Sequence, residues 1–452
     1  MIIMKFSGPT LNDEEAVRNV AEIIQSRLEN KPILVISAAG DTTDLLLASI
    51  DNALRGDSEA ATEGIDKIHE YHLSLAEQLE LEDEWVARYQ ETAAQYREEL
   101  KEFMTGASLL HNLSPKSIDR MLPFGERYTS LLMTYYLNTI DVPSKMLDST
   151  GFIVTTNEHT RAKPLLEESR EKIRQAILPA LEADEVPVVQ GFVGSTRDGD
   201  VSTFGRGGSD YTASILGAAL EVEDIEIWSD VDGILTADPT IIKDAKVVER
   251  MTFREAAELA YFGNRVLHPD SILPAVEQDI PLHIYNSKNP ELPGSLIRAS
   301  FPLNEFPVVK SIAYKEDMKV LNLISSRMFQ AHDFLRKVFE ILDRYEMVAD
   351  LVSTSEVSVS IAFHTYPQYA DIIKELSQFA KVSLETGKAL VCLVGEKMKF
   401  QEGLPGKILG TLSDVRINMI SQGASEVNLS FIINESDIDR VVKKLHSVFF
   451  PG

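Results

Sequence analysis

The chain has 452 residues, 44% hydrophobic and 25% charged, an ordinary composition for a soluble globular protein and more length than one core usually supports, so two or three domains are expected. Seventy acidic against 44 basic residues leave a net charge of −26, which repels phosphate backbones and anionic lipid and excludes nucleic-acid and membrane partners from the expectation. With no signal peptide and no apolar run long enough to span a bilayer, a cytoplasmic location is expected, and the single cysteine, Cys392, lies in an apolar run where it reads as a packed small hydrophobe.

The first predicted element is a strand over Met1 to Phe6, which carries Lys5 into the turn Ser7-Gly8-Pro9-Thr10. A second strand, Ile33 to Ser37, runs into the polar loop Ala38 to Asp44 and then the helical series Leu45, Leu46, Leu47. Such alternation belongs to βαβ units, and in open α/β sheets ligands gather at the carboxyl ends of the strands. From about Ala53 to Asn138 the spacing of Trp85, Tyr89, Tyr96, Leu100 and Phe103 predicts amphipathic helices, with the acidic run Glu77 to Glu84 as a solvated face. Strand-and-helix alternation resumes near Phe152 and continues to about Arg298. Within it the strand Ile225 to Trp228 ends in Ser229-Asp230-Val231-Asp232-Gly233, so three strand ends carry polar loops. Pro302 and Pro307 mark a linker. Two similar modules follow, each with a strand, a helix opening near Asp333-Phe334-Leu335 or Gly403-Leu404-Pro405-Gly406, and a strand ending in a Ser-rich turn.

The run Gly205-Arg206-Gly207-Gly208-Ser209-Asp210-Tyr211-Thr212 places cation, bare backbone, hydroxyl and carboxylate together, ahead of the helical series Ile215, Leu216, Ala218, Ala219, Leu220. Glycines let backbone N–H groups approach a ligand, and the start of a helix favours negative charge. Taken alone the run is equally well a tight turn; other motifs decide it.

Those motifs are Gly191-Phe192-Val193-Gly194-Ser195, the Gly205 to Thr212 run, Ser229 to Pro239, and Phe262 to Pro269. With Asn157-Glu158 and Arg161 to Pro164, they resemble the aspartate kinase family, within the wider amino-acid kinase group. Ser353 to Ser360 and Asn418 to Ser425 look like that family's regulatory ACT modules. The resemblance implies an α/β protein: a three-layer αβα amino-acid kinase fold over 1–300, with a mainly helical part about 53–138, followed by two ferredoxin-like ACT modules over 301–452. It implies ATP-dependent phosphorylation of the β-carboxylate of aspartate, ATP with Mg2+ as cofactor, at least a homodimer through the ACT modules, and a monofunctional enzyme.

Such a reaction brings an anionic nucleophile to an anionic γ-phosphoryl group, so cations must cancel the repulsion. Lys5 is the expected γ-phosphoryl contact, read as an exposed strand-end lysine that matters little to stability. Asp210 is expected to orient Lys5 or a metal-bound water rather than act as base, since the substrate carboxylate is already ionised. The family's aspartate site maps onto Thr43, Glu126, Phe192, Arg206 and Ser209, with Arg206 gripping the α-carboxylate and Glu126 meeting the α-amino group. Its nucleotide site maps onto Lys5, Phe6, Ser7, Gly8, Ser229, Asp230, Gly233, Leu235, Thr240, Arg265 and Val266. His268 is expected to order a turn. The effector, expected to be lysine, maps onto Met328, Ala331, Phe334, Leu335, Val348, Ala349, Asp350, Ser355 and Glu356, where two carboxylates suit a ligand with two ammonium groups.

The chain departs from the family pattern at Ser7 and Pro9, and again at Leu235, Thr240 and Arg265. Ser7 limits positive φ and Pro9 removes a donor, so weaker or altered nucleotide binding is an expectation. Ala331 and Asp333 likewise replace a serine and a glycine of lysine-sensitive members. A different amino-acid kinase specificity and a catalytically impaired sensor are the alternatives.

Overall fold

The apolar runs Ile2–Phe6, Pro32–Ile36 and Val186–Gln190 are buried at every position, as parallel strands covered on both faces must be. The computed structural model describes the chain apart from residues 206, 263–266, 302–307, 326–330, 356, 365 and 452, with backbone alone at 269, 325, 331 and 332. Two compact units form: Met1–Ile234 with Glu249–Phe253 and Leu267–Ser300, and Leu235–Val248 with Arg254–Val266 and Phe301–Gly452.

In the first unit the strands are β1 (Ile2–Phe6), β2 (Pro32–Ile36), β3 (Ser144–Leu147), β4 (Val154–Thr155), β5 (Val186–Gln190), β6 (Val193–Thr196), β7 (Val201–Thr203), β8 (Asp224–Ser229), β9 (Arg250–Thr252), β10 (Leu282–Asn286) and β11 (Ser295–Arg298). Eight of them make one sheet in the order β3-β5-β2-β1-β8-β10-β11-β9, parallel except where β11 meets β10. The others make a small sheet, β4-β6-β7. The helices are α1 (Glu14–Gln25), α2 (Thr42–Leu54), α3 (Ser58–Gln78), α4 (Asp83–Leu110), α5 (Pro115–Met121), α6 (Phe124–Thr139), α7 (Leu166–Glu182) and α8 (Gly208–Leu220). The predicted helical part is thus α3 to α6, its aromatic series split between fully buried Tyr89 and partly buried Trp85, Tyr96 and Phe103.

The second unit holds β12 (Ser311–Ser325), β13 (Leu351–Thr354), β14 (Ser358–His364), β15 (Ala380–Val394), β16 (Met419–Gln422) and β17 (Asn428–Asn434). They form one antiparallel sheet, β13-β14-β12-β15-β17-β16. The repeat is not two beads on a string. β12 and β15 run through both halves: Met318 to Ser325 pairs with Ala380 to Lys388, while Ser311 to Lys315 pairs with Leu390 to Val394. The register shifts between the two stretches, beside Asp317 and Gly387 at positive φ. One core gathers Leu323, Val338, Ile361 and Phe363; the other gathers Ile312, Val391, Phe431 and Leu445. Cys392 is fully buried between strands, and burial pushes its thiol up, as a packed small hydrophobe requires.

The stretch after the Ser229 loop also packs in this unit. The Thr236 hydroxyl lies 3.0 Å from His446 Nε2, Ile312 N–H donates to the Thr236 carbonyl at 2.9 Å, and Tyr314 donates to Asp238 at 3.0 Å.

Candidate active site

The parallel order β5-β2-β1-β8 sets four carboxyl ends side by side, carrying Gly191-Phe192, Ser37 to Thr43, Ser7-Gly8 and Ser229 to Gly233. Backbone hydrogen bonds tie these exits together: Gly191 N–H to the Ile36 carbonyl at 2.9 Å, Ser37 N–H to Phe6 at 3.2 Å, and Ser7 N–H to Trp228 at 3.1 Å. The start of α8 joins them. Its N-cap is Gly207 at φ 70, with no side chain capping it among the described residues; Gly208 N–H donates to the Gly205 carbonyl at 3.2 Å, which leaves the N–H groups of Ser209 and Asp210 to meet an anion.

At the β1, β2 and β5 ends, with the starts of α6 and α8, lies a pocket of about 240 Å³ lined by Lys5, Thr43, Glu126, Phe192, Gly205, Gly207, Gly208, Ser209 and Asp210. Lys5 Nζ lies 2.7 Å from Asp210, with both side chains only 9% and 10% exposed. Lys5 is therefore not the exposed lysine the sequence suggested; its position on a fully covered strand buries it, and Asp210 fixes its ammonium. Glu126, in the first turn of α6, is buried too. Burial pushes its carboxyl up to about 7, against the opposing pull of backbone N–H groups of Glu126 and Ala38. Its Oε2 has no hydrogen-bond partner among the described residues. A buried acceptor left open beside a pocket is a place for a ligand's donor.

Phe192 holds φ 74, a strained conformation for an aromatic residue that costs about 1–3 kcal/mol and must be imposed by its surroundings. Thr212 Oγ1 accepts its N–H at 3.0 Å, and Phe204 N–H donates to its carbonyl at 3.1 Å. Gly208 is needed here: a Cβ there would lie 2.6 Å from the Phe192 ring.

Around the nucleotide motif, two departures prove harmless to the backbone. Ser7 sits at φ −80, so no glycine is required, and Pro9 enters a short 3-10 helix, Gly8–Leu11, at a position whose N–H would be free anyway. The following Gly8 is the constrained one, since a Cβ would stand 2.7 Å from the Ala38 carbonyl oxygen. The Phe6 side chain is wholly buried and stacked on Trp228 at 6.3 Å, so only its backbone is offered to a ligand. Ser229 donates to Asp230 at 3.2 Å, and Gly233 turns the loop at φ 133. Leu235 and Thr240 belong to the second unit. There the Leu235 carbonyl accepts the Ser311 hydroxyl at 2.7 Å, and the Thr240 hydroxyl is taken up by Asp238 at 2.6 Å. Arg206, Arg265 and Val266 lie outside the described residues. The His268 carbonyl accepts both Ser271 N–H and hydroxyl, at 3.1 and 2.7 Å, while its side chain makes no cap bond to that turn.

In the effector set, Phe334 and Ala349 pack on a core, while Leu335 and Val348 are 37% and 67% exposed. Asp350 is not the open carboxylate the sequence suggested. Its side chain is 4% exposed, paired with Lys315 at 2.6 Å and accepting His364 N–H at 3.0 Å. The Ser355 hydroxyl is 2.8 Å from that of Ser358. Met328, Glu356 and the Ala331 side chain lie outside the described residues.

Two buried groups escaped the sequence reading. Asp119 receives Thr203 hydroxyl at 2.6 Å, Thr160 N–H at 3.0 Å and His159 Nδ1 at 2.8 Å, anchoring the Asn157 loop to β7, the strand that leads to Gly205. His72 contacts Thr42. Neither carries a spacing signal, because each partner lies 30 or more residues away. A wider groove of about 890 Å³ along α4 and α5 shows Phe103, Leu110, Glu99, Glu102 and Arg120 but no buried cation, so phosphoryl chemistry does not belong there. Among the described residues no group of three or more His, Cys, Asp or Glu could hold a metal ion, and no helix is long and apolar enough to cross a membrane.

The chain matches the model of the amino acid kinase family over residues 1–286 and that of the ACT domain over 391–449. It is 36% identical to aspartokinase 1, chloroplastic, of Arabidopsis thaliana, covering 100% of this chain and 80% of that protein. It is 34% identical to lysine-sensitive aspartokinase 3 of Escherichia coli, covering 100% of this chain and 99% of that one. Its structure superposes on E. coli aspartokinase III in complex with aspartate and ADP with a TM-score of 0.86 at 33% identity, each chain covered in full. On the complex of that enzyme with lysine and aspartate the TM-score is 0.82, with 100% and 99% covered. A pocket pairing a buried ammonium with an open carboxyl, set on this fold and these matches, makes the chain a member of the amino acid kinase family and, within it, of the aspartokinases.

Proposed function

We propose that the pocket of Lys5, Thr43, Glu126, Phe192, Ser209 and Asp210 holds aspartate with its α-ammonium at Glu126 and its β-carboxylate at Lys5. The chain phosphorylates aspartate from ATP and is regulated through its ACT modules. The observation that carries the assignment is that Glu126, whose buried Oε2 has no partner among the described residues, lines the same small pocket as a buried Lys5–Asp210 pair. An ammonium satisfies the first, and a carboxylate oxygen moving onto the γ-phosphorus needs the second.

The β-carboxylate is already ionised at neutral pH, so its oxygen attacks without a general base, the bond from γ-phosphorus to the bridging oxygen breaks, and ADP leaves. Lys5 offsets the charge of both anions and Asp210 keeps Lys5 in place. Magnesium is part of the proposal. An ion that travels with the phosphates needs one or two protein carboxylates at most, and of the two that line the pocket Asp210 is the one beside Lys5. When bound it supplies charge neutralisation of the phosphate oxygens. Running the reaction with hydroxylamine present tests the assignment: an acyl phosphate at the β-carboxylate is trapped as the β-hydroxamate, and ADP release without it, or a hydroxamate formed with glutamate at equal rate, contradicts it.

We further propose lysine as the effector and an ACT-mediated dimer as the form it acts on. E. coli aspartokinase III is known in complex with lysine and aspartate. Because Asp350 is already paired with Lys315, an incoming ε-ammonium has to take over that carboxylate. Titrating lysine and threonine separately in the kinase assay is expected to give inhibition by lysine, weakened in Glu356→Gln. Inhibition by threonine alone, or by lysine regardless of Glu356, contradicts the assignment.

A further inference from the structure

His72, on α3, is fully buried, and its Nε2 lies 3.2 Å from the Thr42 hydroxyl oxygen. That hydroxyl proton is already committed: Thr42 Oγ1 lies 2.6 Å from the Ala39 carbonyl oxygen, which can only accept. The Thr42 oxygen must therefore accept from the ring, and His72 carries its proton on Nε2. Its Nδ1 has no partner among the described residues. The ring is held between this single hydrogen bond and the Tyr128 ring, stacked at 4.7 Å and 12°, with Tyr71 against it at 5.0 Å. Burial lowers its pKa to about 3, so the ring is neutral at neutral pH.

The loop it grips serves the pocket from two places. Thr43, next to Thr42, lines it, and the Ala38 N–H supports the Glu126 carboxyl. Ala39 N–H is held from α6 by Thr129 Oγ1 at 2.9 Å, so the loop is fixed from one helix by Thr129 and from another by His72. We propose that His72 is a positioning residue for aspartate, which through its Nε2–H to Thr42 keeps the Ala38 to Asp41 loop and the first turn of α2 where Thr43 and Glu126 meet the substrate. The inference rests on the assignment of this pocket to aspartate.

Steady-state kinetics on His72→Leu, His72→Gln, Thr42→Val and the pair His72→Leu with Thr42→Val test it, with Glu126→Gln as the control for the pocket. Losing the buried His72 bond is expected to raise the aspartate KM about tenfold in His72→Leu, and at least as much in Thr42→Val, which also loses the bond to the Ala39 carbonyl, with kcat and the ATP KM within about threefold in His72→Leu. His72→Gln, whose amide N–H reaches the same oxygen, keeps the aspartate KM near wild type. The double variant is no worse than Thr42→Val alone, because that change already removes the His72 contact together with the bond to the Ala39 carbonyl. A purely packing role predicts the opposite: Gln no better than Leu, additive effects, and kcat falling with the folded fraction. Any of these, or an unchanged aspartate KM in His72→Leu while Glu126→Gln raises it, overturns the inference alone. An unchanged KM in Glu126→Gln overturns the pocket assignment and the inference together. If His72→Leu does not fold, Thr42→Val against His72→Gln decides.

Discussion

Lys5→Met is expected to lower kcat by about a thousandfold or more, because no other described cation lines the pocket to offset the meeting of carboxylate and phosphoryl group. It is also expected to lower the melting temperature. Removing one partner of a pair with side chains 9% and 10% exposed strands the Asp210 carboxylate, at a cost of about 3–5 kcal/mol. The two effects separate in the double variant Lys5→Met with Asp210→Asn, which restores much of the stability and none of the turnover. A folded Lys5→Met that releases ADP at near the wild-type rate contradicts the assignment, and a double variant that recovers turnover shows Lys5 to be structural.

Glu126→Gln is expected to raise the aspartate KM by about a hundredfold, the value of a charge-assisted contact to the substrate ammonium in a buried site. The same change stabilises the ligand-free protein. With burial the main cause, the folded carboxyl titrates at about 7, above an ordinary glutamate, so its ionised form is disfavoured by folding. The sign follows: this group's contribution is most favourable below the unfolded pKa and is lost as pH rises toward 7, so at pH 8 glutamine is better by on the order of 2 kcal/mol. Substrate binding runs the other way, since the ammonium needs the ionised carboxylate. The wild-type aspartate KM therefore rises as pH falls below about 7, by up to tenfold per unit. Rate against aspartate concentration from pH 5.5 to 8.5, with thermal melts at pH 8, checks both: a pH-independent KM in the wild type, or a less stable Gln variant, contradicts the account.

Much of the site was legible because its residues sit in motifs whose local chemistry is self-contained. Lys5 at a strand end, Phe192 after Gly191, and Ser209-Asp210 at a helix start fall into one pocket although they span positions 5 to 210. Thr43, Phe192 and Ser209 were assigned to the aspartate site by resemblance, and Glu126, with no local signal, entered through it alone. What stayed hidden was long-range. Burial of Lys5 depends on β2 and β8 flanking β1, and the capture of Asp350 depends on Lys315 in another strand. The two ACT-like halves read as consecutive repeats, yet Ser311 to Lys315 is paired with Leu390 to Val394 across a long intervening stretch that no periodicity reports. The concern over Ser7 rested on positive φ, which Ser7 at φ −80 does not need; the constrained glycine is Gly8, through the close approach of the Ala38 carbonyl oxygen.

A crystal structure of the protein with aspartate tests the central claim most directly. The account predicts aspartate in the pocket at the carboxyl ends of β1, β2 and β5, its ammonium hydrogen-bonded to Glu126 Oε2 and its β-carboxylate directed at Lys5. Aspartate bound elsewhere, or bound there with its ammonium away from Glu126, would contradict it.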